Sequence, residues 1–227
     1  MYKLSRNWKG AERVVKVDAG SAILEGSLCV PEGATGIVVF VHGSGSGRFS
    51  PRNQFVSTVL NTAGLATLLF DLLTPREEKF DAVTGQLRFD IDFLADRVVQ
   101  TTKWLKQSPE TTKLATGYFG ASTGAAAALT AASELPSFVK AVVSRGGRPD
   151  LAGSALPRVL APTLLIVGGN DSTVIDLNKL AIQQLPVGLE KSMEIVPGAT
   201  HLFEEPGTLE RVADLSCKWF LAHLKNQ

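Results

Sequence analysis

LATGYFGASTGAAAALTAASEL, residues 114–135, leads from an apolar stretch through a glycine-flanked serine into an alanine-rich stretch. It predicts a buried strand over Leu114 to Phe119 and a helix over Thr123 to Leu135. Between them Ser122 lies in a Gly-x-Ser-x-Gly frame, Gly120 to Gly124. A turn this tight strains the backbone of its central serine and needs small flanking residues. The frame favours a nucleophilic serine; an ordinary turn with a helix-capping serine is the alternative.

Strands and helices are predicted to alternate on both sides of this segment. The predicted strands cover Arg13 to Val17, Ile23 to Val30, Gly36 to Val41, Ala66 to Phe70, Leu114 to Phe119, Val139 to Ser144, Thr163 to Val167 and Ser192 to Val196. The predicted helices cover Gln54 to Ala63, Asp90 to Lys106, Thr123 to Leu135, Val174 to Leu185 and Leu209 to Leu224. This order predicts an α/β fold with a mostly parallel sheet, helices on both faces and ligands at the carboxyl ends of the strands.

The composition excludes several classes of function. The 227 residues carry 23 Lys and Arg against 22 Asp and Glu, a formal net charge of +1, and the two signs are interspersed. A neutral chain without a basic stripe is poorly suited to bind a polyanion, so we expect no nucleic-acid partner. At this length one domain, residues 1–227, is expected rather than two.

The cysteines and the hydropathy of the chain exclude further classes of protein. Cys29 and Cys217 form no CxxC and have no nearby His pair, so we expect no disulfide framework, no metal and no cofactor. The uncharged run Ala115 to Ser133 has 19 residues but is weakly apolar and interrupted by glycine, so no membrane partner is expected. Residues 1–8 lack the apolar core of a secretory signal, and a cytoplasmic protein is expected.

Four predicted strands are each followed by residues that could take part in catalysis. They are His42 to Gly47, Gly120 to Gly124, Gly168 to Asp171 and Pro197 to His201. The chain order Ser122, Asp171, His201 is the order expected when a serine on a strand-to-helix turn is activated by an imidazole that a carboxylate orients.

Few residues of the sequence are candidates for the base and for the acid that orients it. Of the three histidines, His223 falls in the last turn of the C-terminal helix and His42 is expected to position the glycine-rich backbone, which leaves His201. Asp150 and Asp176 compete with Asp171 for the acid. We favour Asp171 because it directly follows a strand, whereas Asp176 falls inside a predicted helix.

The glycine-rich loop His42 to Gly47 allows two interpretations. A nucleotide-binding unit is one, but Gly43-x-Gly45-x-x-Arg48 lacks the third glycine of that motif. The other is an oxyanion hole, in which the loop donates a backbone N–H together with that of Thr123. We choose Ser44 as the loop donor, with Gly43 and Gly45 as alternatives.

These residues resemble the α/β-hydrolase superfamily and, within it, the dienelactone-hydrolase-like proteins, over nearly the whole chain. The resemblance rests on Val41 to Gly45, Phe119 to Gly124, Val167 to Asp171 and Pro197 to Phe203. It implies an eight-stranded, largely parallel sheet with an antiparallel second strand, and a triad of Ser122 as nucleophile, His201 as base and Asp171 as orienting acid. Relatives in this looser group can be fused to a phosphoribosyltransferase domain, to which we find no counterpart here.

The nucleophile differs from that of dienelactone hydrolases proper, which use cysteine where this chain has Ser122. A general serine esterase acting on a small ester or lactone is therefore expected. A catalytically idle fold that serves as a small-ligand receptor or scaffold is the rival hypothesis. Whether the chain is a monomer or a homodimer stays open.

The segment between the strands ending at Ser144 and starting at Thr163 bears on the substrate. Its 18 residues allow one short helix but no large lid domain, which argues against a long-chain lipase. Arg145 and Arg148 lie at its start, and Arg48 and Arg52 lie in or beside the glycine-rich loop. Because arginine suits bidentate carboxylate binding, we expect Arg48, Arg145 and Arg148 to bind an anionic substrate.

Overall fold

The computed structural model describes residues 12–225, where strands and helices alternate as the sequence predicts. Residues 1–8, on which the secretory-signal argument rests, lie outside this range. The strands are β1 (Arg13–Asp18), β2 (Ile23–Cys29), β3 (Gly36–Val41), β4 (Ala66–Phe70), β5 (Ala115–Ala121), β6 (Val139–Arg145), β7 (Thr163–Gly168) and β8 (Lys191–Val196). The α-helices are α1 (Pro51–Thr62), α2 (Pro75–Thr84), α3 (Ile91–Gln107), α4 (Thr123–Glu134), α5 (Ser172–Gln184) and α6 (Thr208–His223).

The strands form one sheet in the order β1-β2-β4-β3-β5-β6-β7-β8. Strand β2 runs antiparallel to both of its neighbours, and all later pairs are parallel. The predicted fold class and the antiparallel second strand are both confirmed. This topology brings the ends of β3, β5, β6, β7 and β8 to one edge of the sheet, where the loops with the candidate site residues begin.

Helices cover both faces of the sheet, which explains why the central strands are apolar throughout. Strand β5 shows the arrangement: Tyr118 packs with α3 and α4, and Phe119 packs with α1 and α6. The phenol of Tyr118, fully buried, is 2.7 Å from the Thr102 hydroxyl. Burial raises the pKa of this phenol, so it stays neutral and supports the core rather than chemistry.

Helix α2 is absent from the sequence prediction because only one of its residues, Asp81, is buried. Without an apolar stripe, hydrophobic periodicity cannot reveal a helix. Its N-terminus does carry a recognisable pattern: the Thr74 hydroxyl accepts from the Glu77 N–H at 3.2 Å, and the Glu77 carboxylate accepts from the Thr74 N–H at 2.7 Å. This capping box, with Pro75 in the first turn, could have revealed the helix.

Two 3-10 helices complete the described elements, Leu87–Phe89 and Pro149–Arg158. The second lies between β6 and β7, where larger hydrolases carry a lid. It consists of two short segments joined by a kink at Gly153 (φ 47°, ψ −120°), where one short helix is expected, and no lid domain is inserted there. Separately, none of the helices within residues 12–225 has the length and apolar character needed to cross a membrane.

The turn between β5 and α4 generates the first testable prediction. A Cβ at Gly124 would lie 2.2 Å from the carbonyl oxygen of Val41 and 2.4 Å from that of His42. Backbone cannot yield as a side chain can, so we expect Gly124→Ala to lower the free energy of unfolding by about 3 kcal/mol or more.

Gly33→Ala is the matched control for denaturant unfolding. Unlike Gly124, Gly33 has a positive φ, 72°, and a Cβ there meets no atom within 4 Å. Only the left-handed backbone is then penalised, by roughly 1 kcal/mol. Equal losses in the two variants would contradict the close packing of α4 against β3.

Candidate active site

Ser122 occupies the turn between β5 and α4 in a conformation that non-glycine residues rarely adopt, with φ 50° and ψ −125°. Its main chain is held on both sides: its N–H donates to the Arg145 carbonyl at 3.3 Å, and its carbonyl accepts from the Ala125 N–H at 3.1 Å. Within the part of the chain that the structure describes, the Ser122 side chain makes no capping hydrogen bond to α4. The turn therefore presents this hydroxyl instead of using it as a cap.

Glycines allow backbone to close in around Ser122. A Cβ at Gly120 would lie 2.5 Å from the Ala125 Cα, so α4 could not begin where it does with any larger residue. A Cβ at Gly43 would lie 2.9 Å from the Cβ of Ser122. The glycine-rich loop after β3 thus rests directly against the candidate nucleophile.

His201 and Asp171 form the hydrogen-bonded pair that the sequence predicts. The Nδ1 atom of His201 lies 2.7 Å from Oδ2 of Asp171. The loops after β7 and β8 hold the two residues together, since the Asn170 N–H donates to the Ala199 carbonyl at 2.9 Å. The carboxylate is more enclosed than the imidazole, with side-chain exposures of 16% and 38%. An Nδ1–H donated to Asp171 leaves Nε2 as the free base of the ring.

Gly146 is where the serine and histidine loops meet. A Cβ at Gly146 would lie 2.9 Å from the His201 carbonyl oxygen and 3.7 Å from the His201 Cε1 atom. The preceding residue, Arg145, accepts the Ser122 N–H. Arg145 and Gly146, at the end of β6, therefore lie between the serine turn and the histidine loop: Arg145 contacts the turn and Gly146 contacts the loop.

The other two aspartates considered for the acid are engaged elsewhere. Asp150 accepts from Nε and Nη2 of Arg148 at 2.9 and 2.8 Å. Asp176 lies within α5 and pairs with Lys179 at 3.1 Å. His223 ends α6, as expected, with Nδ1 2.8 Å from the Trp219 carbonyl oxygen.

His42 anchors the glycine-rich loop. Its Nε2 accepts from the Leu72 N–H at 3.0 Å, so the ring proton lies on Nδ1, 3.0 Å from the carbonyl oxygen of Gly43. Burial lowers the pKa of His42, against the opposing effects of the Gly43 carbonyl and Asp71. A buried neutral imidazole with both nitrogens engaged positions backbone, which is the role expected of it.

The two expected oxyanion donors, Ser44 and Thr123, lie next to each other. The Ser44 N–H donates to the Thr123 hydroxyl at 3.0 Å. The Thr123 N–H belongs to the first turn of α4, where no intrahelical acceptor exists. In this structure the Thr123 side chain thus holds the loop and occupies the Ser44 donor.

The three arginines expected to bind substrate differ sharply in their surroundings. Arg48 pairs with Asp71 and Glu25, and Arg148 pairs with Asp150. Arg145 is buried, and among residues 12–225 the one hydrogen bond of its side chain runs from Nη2 to Oδ1 of Asn53, at 3.3 Å. The structure therefore does not bring the three together as one anion site.

A cavity of about 950 Å³ lies beside the glycine-rich loop and is bounded by α2. Its lining includes Gly43 and Ser44 but neither Ser122 nor His201. Sequence reasoning misses this wall of the cavity because α2 shows no hydrophobic periodicity.

The model of the dienelactone hydrolase family matches residues 24–220. A solved dienelactone hydrolase from Anabaena variabilis is 58% identical, covers 96% of this chain and 100% of its own, and superposes with a TM-score of 0.93. A dienelactone hydrolase-like promiscuous phosphotriesterase from metagenomic libraries is 18% identical, with coverages of 95% and 99% and a TM-score of 0.74, and it shares the fold.

A curated relative has a different printed name. A Mycobacterium tuberculosis (H37Rv) protein, provisionally named a phosphoribosyl transferase, is 58% identical over 210 residues. The match covers 92% of this chain but only 46% of that protein. This chain thus spans about half the length of the curated relatives it matches.

Protonation of His42 is predicted to weaken the fold. Because the folded-state pKa lies below the ordinary 6.5, the unfolded chain binds a proton before the folded chain does. The contribution of His42 to stability is complete above about pH 6.5 and declines as the pH falls toward the folded-state pKa.

Two measurements check this. Imidazole ¹⁵N NMR should show His42 neutral, with its proton on Nδ1, at pH 6. Unfolding free energy between pH 7.5 and 5 should fall less steeply in His42→Asn than in the unsubstituted chain. A His42 ring that titrates at its ordinary pH contradicts the prediction.

Proposed function

The chain belongs to the dienelactone hydrolase family of α/β hydrolases, and we propose that it is a serine hydrolase cleaving a small carboxylic ester or lactone through an acyl-enzyme on Ser122. The backbone of Ser122 carries this proposal. Holding a non-glycine residue at φ 50° costs on the order of 1–3 kcal/mol, which a turn with no chemical role would avoid. The hydrogen-bonded pair His201 and Asp171 on the neighbouring loops supplies the base that such a serine needs.

In the proposed acylation step, His201 Nε2 takes the proton of the Ser122 hydroxyl as Oγ attacks the substrate carbonyl carbon. Asp171 keeps the imidazole in the required tautomer and stabilises its protonated form. The tetrahedral intermediate collapses, the C–O bond to the leaving group breaks, and His201 returns the proton to the departing alkoxide. An ester of Ser122 remains, together with the alcohol; from a lactone, both stay in one molecule.

Deacylation repeats the sequence with water. His201 takes a proton from the water, the oxygen attacks the acyl carbon, and Ser122 leaves with the proton restored to its Oγ. In each step the developing oxyanion needs N–H donors, of which Thr123 is one. One such donor is worth about 3 kcal/mol of transition-state stabilisation.

The second donor depends on the Thr123 hydroxyl. The Ser44 N–H can serve the oxyanion once it is released from Thr123 Oγ1, a contact of 3.0 Å. Gly43 and Gly45 remain the alternatives on the same loop. The contact of Gly43 with Ser122 supports a donor from this loop in any of the three cases.

The printed name of the Mycobacterium tuberculosis relative does not extend this proposal. Phosphoribosyl transfer is said of a protein of which this chain covers 46%. We propose the hydrolase chemistry for the half that the two proteins share.

Ser122→Ala tests the nucleophile. It should lower kcat/KM for p-nitrophenyl and lactone substrates by about a thousandfold or more, because no other oxygen can form the acyl-enzyme. A fluorophosphonate should add to Ser122 in the unsubstituted chain at neutral pH, as seen by mass spectrometry. Ser154→Ala, a serine of the 3-10 helix after β6, is the control that should keep both properties. A chain that folds but gives no adduct on Ser122 would favour the receptor hypothesis.

Asp171→Asn tests the orienting acid. It should reduce kcat by roughly 10²–10⁴-fold with little change in KM, because the amide favours the wrong imidazole tautomer. Asp176→Asn removes the same charge from an exposed position on α5 and should leave kcat unchanged. Equal effects of the two substitutions would refute the assignment of Asp171.

A further inference from the structure

A second cavity, of about 220 Å³, lies at the amino edge of the sheet and is lined by lysines. It is placed where β5 and β6 begin and where α3 and α6 end. The serine turn is at the far end of β5, about 20 Å away along this seven-residue strand. The charged and aromatic residues of the lining are Lys106, Lys113, Phe138, Lys140, His223 and Lys225.

The lysines of this cavity lack acidic partners. None of the four forms an ion pair within residues 12–225, where Lys179 and Lys218 are the lysines that do. Of the lining residues, His223 has an acidic partner, Glu190, whose Oε2 lies 3.1 Å from the His223 Nε2. Four ammonium groups therefore line the cavity, and a single carboxylate pairs with its lining.

Lys106 and Lys140 hold their charges close together. Lys106 is half-buried, and its Nζ donates to the Leu114 carbonyl at 2.6 Å, which keeps the ammonium at the cavity. Burial lowers the pKa of Lys106, and the charge of Lys140 lowers it further. Both effects penalise the charged form of the lysine. An anion bound between the two ammonium groups would reverse the second effect.

Helix dipoles account for only part of the positive charge. The C-termini of α3 and α6 lie beside the cavity, and each carries the equivalent of about half a negative charge. Lys106 in the last turn of α3 and His223 in the last turn of α6 are placed to offset these charges. Lys113 and Lys140 belong to neither helix. Stabilisation of helix ends therefore explains Lys106 but not the whole cluster.

The lining and its size indicate the class of ligand. An ammonium is a compact charge with three donors and is a common phosphate binder, whereas bidentate recognition of a carboxylate favours arginine. Within the described chain the cavity is lined by no arginine. Its volume is below the roughly 300–1,000 Å³ of pockets that enclose a drug-sized ligand, so it fits a phosphate or diphosphate group better than a whole nucleotide.

Phe138 offers an apolar surface next to these charges. Its side chain is 42% exposed, and its ring is centred 5.9 Å from the Nζ atom of Lys106. An aromatic ring beside an ammonium can contact the organic part of a ligand while the ammonium binds the phosphate.

We propose that Lys106, Lys113 and Lys140 form a binding site for a phosphate group at the amino edge of the sheet. The ligand is inorganic phosphate or diphosphate, or a small phosphate ester whose organic part contacts Phe138. The site shares no residue with the candidate active site, so the phosphate proposal stands or falls separately from the proposed hydrolase function.

Calorimetric titration with inorganic phosphate and with diphosphate, at constant ionic strength, tests the site. Both anions should bind, and Lys113→Gln and Lys140→Gln should each weaken the affinity by about tenfold, the effect of losing one charge-assisted hydrogen bond. Neither of these two lysines makes a hydrogen bond within residues 12–225, in contrast to Lys106, so their substitution removes no contact of the described fold. Lys16→Gln removes the same charge from an exposed position on β1 and should leave the affinity unchanged.

Phenyl phosphate distinguishes the two sources of the phosphate group. Tighter binding of phenyl phosphate than of inorganic phosphate, with the difference removed by Phe138→Ala, would identify a phosphate ester as the ligand. Equal affinities would identify free phosphate.

Three results would overturn the proposal. The first is a chain that binds none of these phosphates; if it binds poly-glutamate instead, the lysines serve an acidic protein partner. The second is a phosphate affinity that Lys113→Gln and Lys140→Gln leave unchanged. The third is an affinity lost in Arg52→Gln, because that arginine lies at the opposite edge of the sheet, in the first turn of α1. In Ser122→Ala, phosphate should bind as it does in the unsubstituted chain whether or not esters are hydrolysed.

Discussion

The chain reverses from β5 into α4 within a turn that leaves no room for a Cβ two residues before or two residues after Ser122. At Gly120 that atom would collide with the Ala125 backbone, and at Gly124 with the carbonyl of Val41. The close approach fixes where α4 begins, how it packs on β3, and where the loop after β3 must pass. The backbone strain of Ser122 persists because this packing over-determines it.

Much of this arrangement can be predicted from the sequence, because apolar strands and glycine-rich strand ends are local patterns. The order of Ser122, Asp171 and His201 follows from which residues come directly after strands. Helix α2 could not be predicted from periodicity, because it buries almost nothing. The difference among the arginines could not be predicted either: Arg48, Arg145 and Arg148 look alike in the sequence, and only the fold decides which of them meets a carboxylate.

The backbone strain of Ser122 and the buried charge of Arg145, which meets no carboxylate among residues 12–225, both cost folding free energy. The two residues are in contact, because the Ser122 N–H donates to the Arg145 carbonyl. A fold selected for stability alone would have a glycine at the first position and an apolar side chain at the second. Both costs fall at the carboxyl edge of the sheet, which is the part of such a fold where ligands bind. Their proximity supports a functional role for this edge of the sheet.

The end of β4 explains why a unit that resembles a nucleotide-binding motif is suited to a different use. The carboxylate that would meet a ribose in such a motif, Asp71, accepts from the Arg48 N–H at 2.8 Å and pairs with its guanidinium. The next residue, Leu72, donates its N–H to His42. Asp71 and Leu72 thus hold the glycine-rich loop at its two ends, while Thr123 holds it in the middle through Ser44. A loop fixed at three points has little freedom left to wrap a phosphate. Its backbone N–H groups are instead kept beside Ser122, where that of Ser44 can stabilise an oxyanion once it is released from Thr123.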